Sequence, residues 1–134
     1  MAVQSWIYTI MRVVVGIIFL AHGIDKLDSG LDNIAGWFGS VGLPPFLAFL
    51  VAYIEILGGA ALIIGLGSRW AAILFAVIMV GAIVTVKLPA GLLGDGKTAG
   101  YELDLALLAV SLFIAASPKL GYGVGQLFES GERA

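Results

Sequence analysis

AFLVAYIEILGGAALIIG, residues Ala48 to Gly65, is an apolar run as long as a bilayer is thick, with one carboxylate at its middle. A hydrocarbon core of about 30 Å takes about 20 helical residues to cross, so Glu55 falls near mid-membrane. A charged group at that depth costs roughly 2.5 to 3.5 kcal/mol on insertion scales. It persists where it faces protein, has a partner or works. Ala48, Ala52, Glu55 and Gly59 recur at spacings of three and four and therefore share one helix face. Gly58, Gly59, Ala60 and Ala61 let a neighbouring helix approach closely. The stretch predicts a membrane bundle packed around the Glu55 face.

The bulk numbers agree with this. The chain has 134 residues, enough for a single domain over 1–134, and is 60% hydrophobic and 12% charged with a mean hydropathy of +1.07. Soluble domains carry about 25% charged residues, so the expected class is an all-α polytopic membrane protein in contact with the lipid bilayer. A net charge of −2 without a basic arm speaks against nucleic acid as a partner. The absence of cysteine removes thiolate catalysis, disulfide exchange, iron–sulfur ligation and cysteine zinc sites. The first apolar run has no basic region before it and no convincing cleavage site, and reads as a retained helix.

Four spans are expected, at about 6–23, 46–66, 70–88 and 101–116, followed by a mixed tail over 119–134 in which Tyr122 and Phe128 suit an interface. Between the first two, Ser29 to Asp32 has the look of a capping box. Ile34, Trp37, Phe38 and Val41 then mark a short amphipathic helix, too short to span, lying in the interface with Trp37 and Phe38 down. The expected architecture is thus a four-transmembrane-helix bundle with a short interfacial helix between helices one and two. Four spans put both termini on one side. A small excess of Arg and Lys there (Arg69, Lys119, Arg133) favours the cytoplasm. Trp6 and Trp70 on that side and Trp37 on the other are the expected interfacial anchors.

This topology collects His22, Lys26, Lys87, Glu102 and Asp104 at the end opposite the termini, with Glu55 deeper. Arg12 enters from the terminus side. Either it snorkels to its own interface, or it pairs with Glu55 and neutralises both charges in lipid. Glu55 itself is either a paired or protonated register-fixing group or a working one. His22 alone reads more readily as an interfacial hydrogen-bonding residue than as a ligand. Glu102 and Asp104, two apart, point to opposite sides of their helix. Asp104 shares a face with Leu108 and Ser111 and is the better interior candidate. One histidine and scattered carboxylates make no metal site, and the glycines of GYGVGQ follow no strand that would make them a dinucleotide fingerprint.

Four motifs in order then carry a resemblance: HGIDKL (His22 to Leu27), VGLPP (Val41 to Pro45), EILGG (Glu55 to Gly59) and GYELDLALL (Gly100 to Leu108). From Met11 to about Ser117 the chain resembles the DoxX family of small four-helix bacterial membrane proteins. The resemblance implies a bundle in the cytoplasmic (inner) membrane. It also implies an oxidoreductase role, through relatives linked to quinone-dependent thiosulfate oxidation and to resistance against quinones, catechols and oxidative stress. His22, Lys26, Glu55 and Glu102 match the family's recurring polar positions and are the catalytic candidates. Many relatives carry a histidine in an H-L-P stretch after helix three where this chain has Lys87–Leu88–Pro89. That departure speaks against chemistry needing two histidines and leaves proton transfer to a quinone intact.

Three readings follow. The first is a quinone-interacting oxidoreductase, or the membrane subunit of a redox complex, with His22 and Lys26 as donors and Glu55 or Glu102 as proton relay. It requires a bound quinone, flavin or haem, or a soluble redox partner protein, to supply electrons. The second is a non-catalytic scaffold that anchors a soluble redox enzyme. The third, weaker, is small-solute or proton-coupled transport through Glu55 in a homo-oligomer.

Overall fold

A computed structural model describes residues 2–117 and 121–125. The described chain is helical apart from one isolated bridge between Gly94 and Ala99. Five α-helices follow one another: α1 (Ala2–Ser29), α2 (Leu31–Ser40), α3 (Phe46–Ile64), α4 (Ser68–Ala82) and α5 (Glu102–Ala116). Helix α4 runs on through a π-helical turn, Ile83–Lys87, and a 3-10 turn, Leu88–Ala90. Three helices are long and apolar enough to cross a bilayer: α1, α3 and the continuous stretch Ser68–Ala90. The 15 residues of α5 span about 22 Å at 1.5 Å per residue, less than the hydrocarbon thickness. Of the expected tail, Lys119, Phe128 and Arg133, together with Pro118 of the expected stop, lie outside the described residues.

The helix boundaries follow local chemistry. Helix α1 does not end at Gly23. It continues to Ser29, because no breaker intervenes and the polar side chains from His22 onward do not oppose helical backbone. Gly30, at φ 91°, makes the break, and its carbonyl accepts the amides of Asn33 and Ile34. The expected capping box does not form: α2 has no side-chain cap, and Asn33 instead donates its amide to the Ser29 carbonyl at 2.9 Å. Pro45 precedes α3, where its missing N–H costs nothing, and Gly65 at φ 76° closes α3 in the left-handed conformation, the usual role of glycine there. Pro89 follows the π-helical turn. Its ring excludes the carbonyl four residues earlier, that of Thr85, so the backbone widens and then tightens instead of continuing as a regular α-helix.

Lipid is as apolar as leucine, so helices in a membrane associate by close packing rather than by hydrophobic transfer. The α1–α3 crossing shows this. A Cβ placed on Gly16 would lie 2.7 Å from the Gly59 carbonyl oxygen, and one on Gly59 would lie 2.7 Å from that of Gly16. The two backbones touch. The buried residues of α3 are Ala48, Ala52, Glu55, Gly59 and Leu62, the face that their spacing defines. Between α1 and α4, Phe19 and Phe75 stack with ring centroids 3.7 Å apart and planes 5° from parallel, in a core continued by Leu62, Leu107 and Ile114. Helix α2 lies against the start of α3 through Ala35, Phe38 and Ala48. Phe38 is buried there, whereas its neighbour Trp37 stays 47% exposed, so the two rings do not share one environment.

The end carrying the start of α1 and the strip 121–125 is closed by hydrogen bonds to backbone. Arg12 Nε donates to the Leu62 carbonyl at 2.7 Å and Nη2 to that of Tyr122 at 2.7 Å. Tyr8 donates to the Ile114 carbonyl at 3.3 Å. The strip 121–125 is pinned across the α3–α4 turn, with Val124 N on the Ile64 carbonyl at 2.8 Å and Gly125 N on that of Gly65 at 2.9 Å.

Candidate functional site

At the opposite end the helices diverge around a cavity of about 500 Å³, walled mainly by Leu, Ile, Val, Phe and Met side chains of α2, α3, α4 and α5. Four charged side chains enter it as two ion pairs. Lys26 Nζ lies 2.9 Å from Glu55 Oε2 and 3.1 Å from Oε1. Lys87 Nζ lies 2.8 Å from Asp104 Oδ2, off the hydrogen-bonding direction, so that oxygen receives no directed hydrogen bond. Glu55 is 3% exposed and Asp104 equally buried, while both lysines are half-buried. Glu55 stands at the midpoint of α3 (Phe46–Ile64). The carboxylates are thus the deep members and the ammonium groups the shallow ones.

Side-chain direction explains the Lys26–Glu55 pair. In a helix each side chain leans toward the N-terminus. Gly16 packs on Gly59, and Gly23 on Ala52 and Ile56, so α1 and α3 run antiparallel. Lys26 then leans back toward Gly23, and Glu55 leans toward Ala52 from the other side. The two converge. Arg12 leans the same way along α1, which carries it away from Glu55 and toward the last turn of α3. The expected Arg12–Glu55 pair does not form: Arg12 lies on the Leu62 and Tyr122 carbonyls, where a cation meets the negative end of the α3 dipole.

His22 lines the cavity, with Nδ1 2.8 Å from the Ile18 carbonyl. A carbonyl can only accept, so Nδ1 carries the hydrogen in this contact. Of the four candidates, His22, Lys26 and Glu55 come together on the cavity wall. Glu102 does not, because it opens α5 as an exposed residue. Asp104, two positions on, is the carboxylate that α5 contributes. Its shared face with Ser111 was the signal, and both are buried. The Lys87–Asp104 partnership had no sequence signal of its own, since it depends on the π-helical turn that carries Lys87. Among the described residues no group of three or more His, Asp or Glu side chains could hold a metal ion.

Trp6, Trp37 and Trp70 are all exposed, Trp6 and Trp70 near the sealed end and Trp37 on the cavity wall at the other. Outside the helices, Asp95 Oδ1 accepts the amides of Thr98 at 2.8 Å and Lys97 at 3.0 Å. These bonds favour the charged carboxylate and hold it below the usual range, the Thr98 amide contributing most.

Comparison with known proteins places this geometry in context. The DoxX family model matches residues 7–88. The chain is 42% identical over 106 residues to a Bacillus subtilis protein named "Putative oxidoreductase CatD", covering 79% of this chain and 75% of that one. It is 35% identical over 114 residues to the "Uncharacterized membrane protein Rv3486" of Mycobacterium tuberculosis, covering 78% and 70% respectively. No solved structure matches.

Proposed function

This chain belongs to the DoxX family of membrane proteins, and on that premise we propose that it is a quinone-interacting oxidoreductase subunit of the bacterial cytoplasmic membrane. The observation that carries this reading is an apolar cavity into which two lysine–carboxylate pairs and a histidine project. A quinone headgroup is a flat apolar ring with two carbonyl acceptors, and an apolar pocket with a few convergent polar groups suits such a molecule. Its reduction takes up two protons with two electrons. The ammonium groups of Lys26 and Lys87 hold carbonyl oxygens by charge-assisted hydrogen bonds, and His22 and Glu55 carry protons. Glu102, exposed at the start of α5, exchanges protons with water outside the cavity. Electrons come from a soluble reductant protein docked at the membrane. The name of the B. subtilis relative is consistent with redox work.

In this reading the chain is a multi-pass domain with cytoplasmic termini. Helix α5 crosses as the fourth span with local thinning of the bilayer, α2 lies in the interface, and Trp6, Trp37 and Trp70 anchor the two faces. A second reading has its own support. Each buried carboxylate already holds a lysine, and a closed set of charges suits a scaffold that assembles a redox enzyme without reacting itself.

The test is solvent extraction of the protein purified in mild detergent from its native membrane, with mass spectrometry for quinone, flavin and haem. Glu55→Gln and His22→Ala are run beside it. Stoichiometric quinone in the wild type and its loss in either variant is the expected result. Folded, stable samples that all lack quinone would overturn the oxidoreductase reading in favour of the scaffold.

A further inference from the structure

On α1 the cavity is lined by the buried Phe19, the half-buried Lys26 and the exposed His22. Its wall residues on α1, α3 and α5 include the buried Phe19, Glu55 and Asp104, but on the side of α3 and α4 the wall is rimmed by side chains that face outward. Leu50 is 50% exposed and Val77 65% exposed, and Leu74 and Thr85 are exposed beside them. Leu74 and Val77 lie near the middle of the spanning stretch Ser68–Ala90. This part of the rim therefore meets hydrocarbon. Between Val77 and Thr85 on the same face of α4 stands Gly81, also part of the wall, and a Cβ built on it meets nothing within 4 Å. Gly16 and Gly59, in the α1–α3 crossing, are by contrast filled against backbone. Gly81 packs against nothing, and it is the gap in the α4 wall. Asp104 Oδ2, buried and without a directed hydrogen bond, marks the inner end of the same space.

We propose that the ligand reaches this site sideways from the lipid, and that its aliphatic tail leaves over Gly81 along the Val77–Thr85 face of α4. The substrate class is then a long-tailed membrane quinone rather than a short water-soluble one, and Gly81 is its specificity-determining residue. This rests on the quinone reading of the cavity. The headgroup lies between the Lys26–Glu55 and Lys87–Asp104 pairs, and the tail lies where a side chain would otherwise stand. Because lipid already solvates such a tail, the groove selects by shape and route rather than by hydrophobic gain.

The experiment uses the full chain in vesicles, with Trp6 and Trp70 changed to Phe so that Trp37 on the cavity wall is the reporter. A tail-less benzoquinone is titrated first to quench Trp37. A prenyl-tailed benzoquinone with a photoactivatable diazirine at the tail end is then crosslinked and its adducts mapped by mass spectrometry. The expected result is saturable quenching by the headgroup, adducts concentrated on Leu50, Val77 and Thr85, their removal by excess unlabelled tailed quinone, and at least a tenfold loss of those adducts in Gly81→Leu. Leucine is a better helix former than glycine, so that variant keeps α4. Val77→Phe narrows the same gap from one turn away and should give a several-fold loss. Adducts scattered over the whole lipid-facing surface, or unchanged in both variants, would overturn lateral entry while saturable headgroup quenching left the quinone site standing. No saturable quenching and no chased adducts would overturn both.

Discussion

The two ends of the bundle use polar groups in opposite ways. At the terminus end Arg12 and Tyr8 bond to backbone carbonyls, groups that have no freedom to move or titrate. At the cavity end Lys26 and Lys87 form ion pairs with carboxylates, side chains that can rotate and exchange partners. The first arrangement closes helix ends. The second leaves charge available beside an apolar cavity. One end of the molecule is therefore a clasp and the other a site, and the difference can be attacked from either side.

The largest effect is expected at Lys26. In Lys26→Met the Glu55 carboxylate is stranded at mid-bundle, and breaking one partner of a buried pair costs about 3 to 5 kcal/mol. The lower figure applies, because the Lys26 side chain retains 19% exposure. Adding Glu55→Leu should restore most of the stability while quinone binding stays lost. Melting in detergent measures both, and a double variant as unstable as the single one would show that Lys26 acts by packing and not by charge.

A smaller change is expected from Arg12→Met. It removes two charge-assisted bonds and leaves the carbonyl of the buried Leu62 without this donor, so about 2 kcal/mol is expected. The melting temperature should fall while quenching of Trp37 by quinone keeps its midpoint. A shifted midpoint would mean that the two ends are coupled, and the division into clasp and site would fail.

The smallest effect tests whether the loop at the cavity end behaves like the clasp. Asp95 bonds backbone amides, as Arg12 bonds backbone carbonyls, but it is fully solvent-exposed. Its folded pKa lies below its unfolded one, so its contribution is complete above the unfolded value of about 3.9. It is lost as pH falls through the lower folded value. Amide chemical shifts of Lys97 and Thr98 should follow that acid titration and lose it in Asp95→Asn, with the cavity pairs undisturbed. A titration of those amides centred above pH 4 would contradict the depressed pKa.

How much of this was legible depended on what kind of information a position carries. The buried face of α3 was written in the spacing of Ala48, Ala52, Glu55 and Gly59, because small residues at helical spacing have one use in lipid. The gathering of His22, Lys26, Lys87 and Asp104 at one end followed from counting spans. The partner of Glu55 did not follow from depth alone: Arg12 and Lys26 both lie within reach of it along the axis, and the lean of side chains in antiparallel helices decides between them. The apolar span closes near Gly23 because hydropathy stops at the edge of the hydrocarbon, while helical backbone continues to Ser29. Glu102 and Asp104 differ only in rotation, and the packing of α5 on α4 turned Asp104 inward. The π-helical turn under Lys87 arises from the balance of Pro89 against the surrounding packing, which no local pattern encodes.

The Arg12 clasp also has a timetable. Its two acceptors are 50 and 110 residues away along the chain. At synthesis rates of about 5 to 20 residues per second, α1 waits in the membrane for roughly 5 to 20 s before Tyr122 exists to meet it. Through that interval the guanidinium can close on α3 but not on the strip beyond α5. The bond to Tyr122 thus forms after the contact with α3, and it ties α1 to a segment made 110 residues later. A nascent chain halted before Tyr122 would hold the α1–α3 contact and lack the lock across it, which gives the cell's proteases a distinction between a finished molecule and an unfinished one.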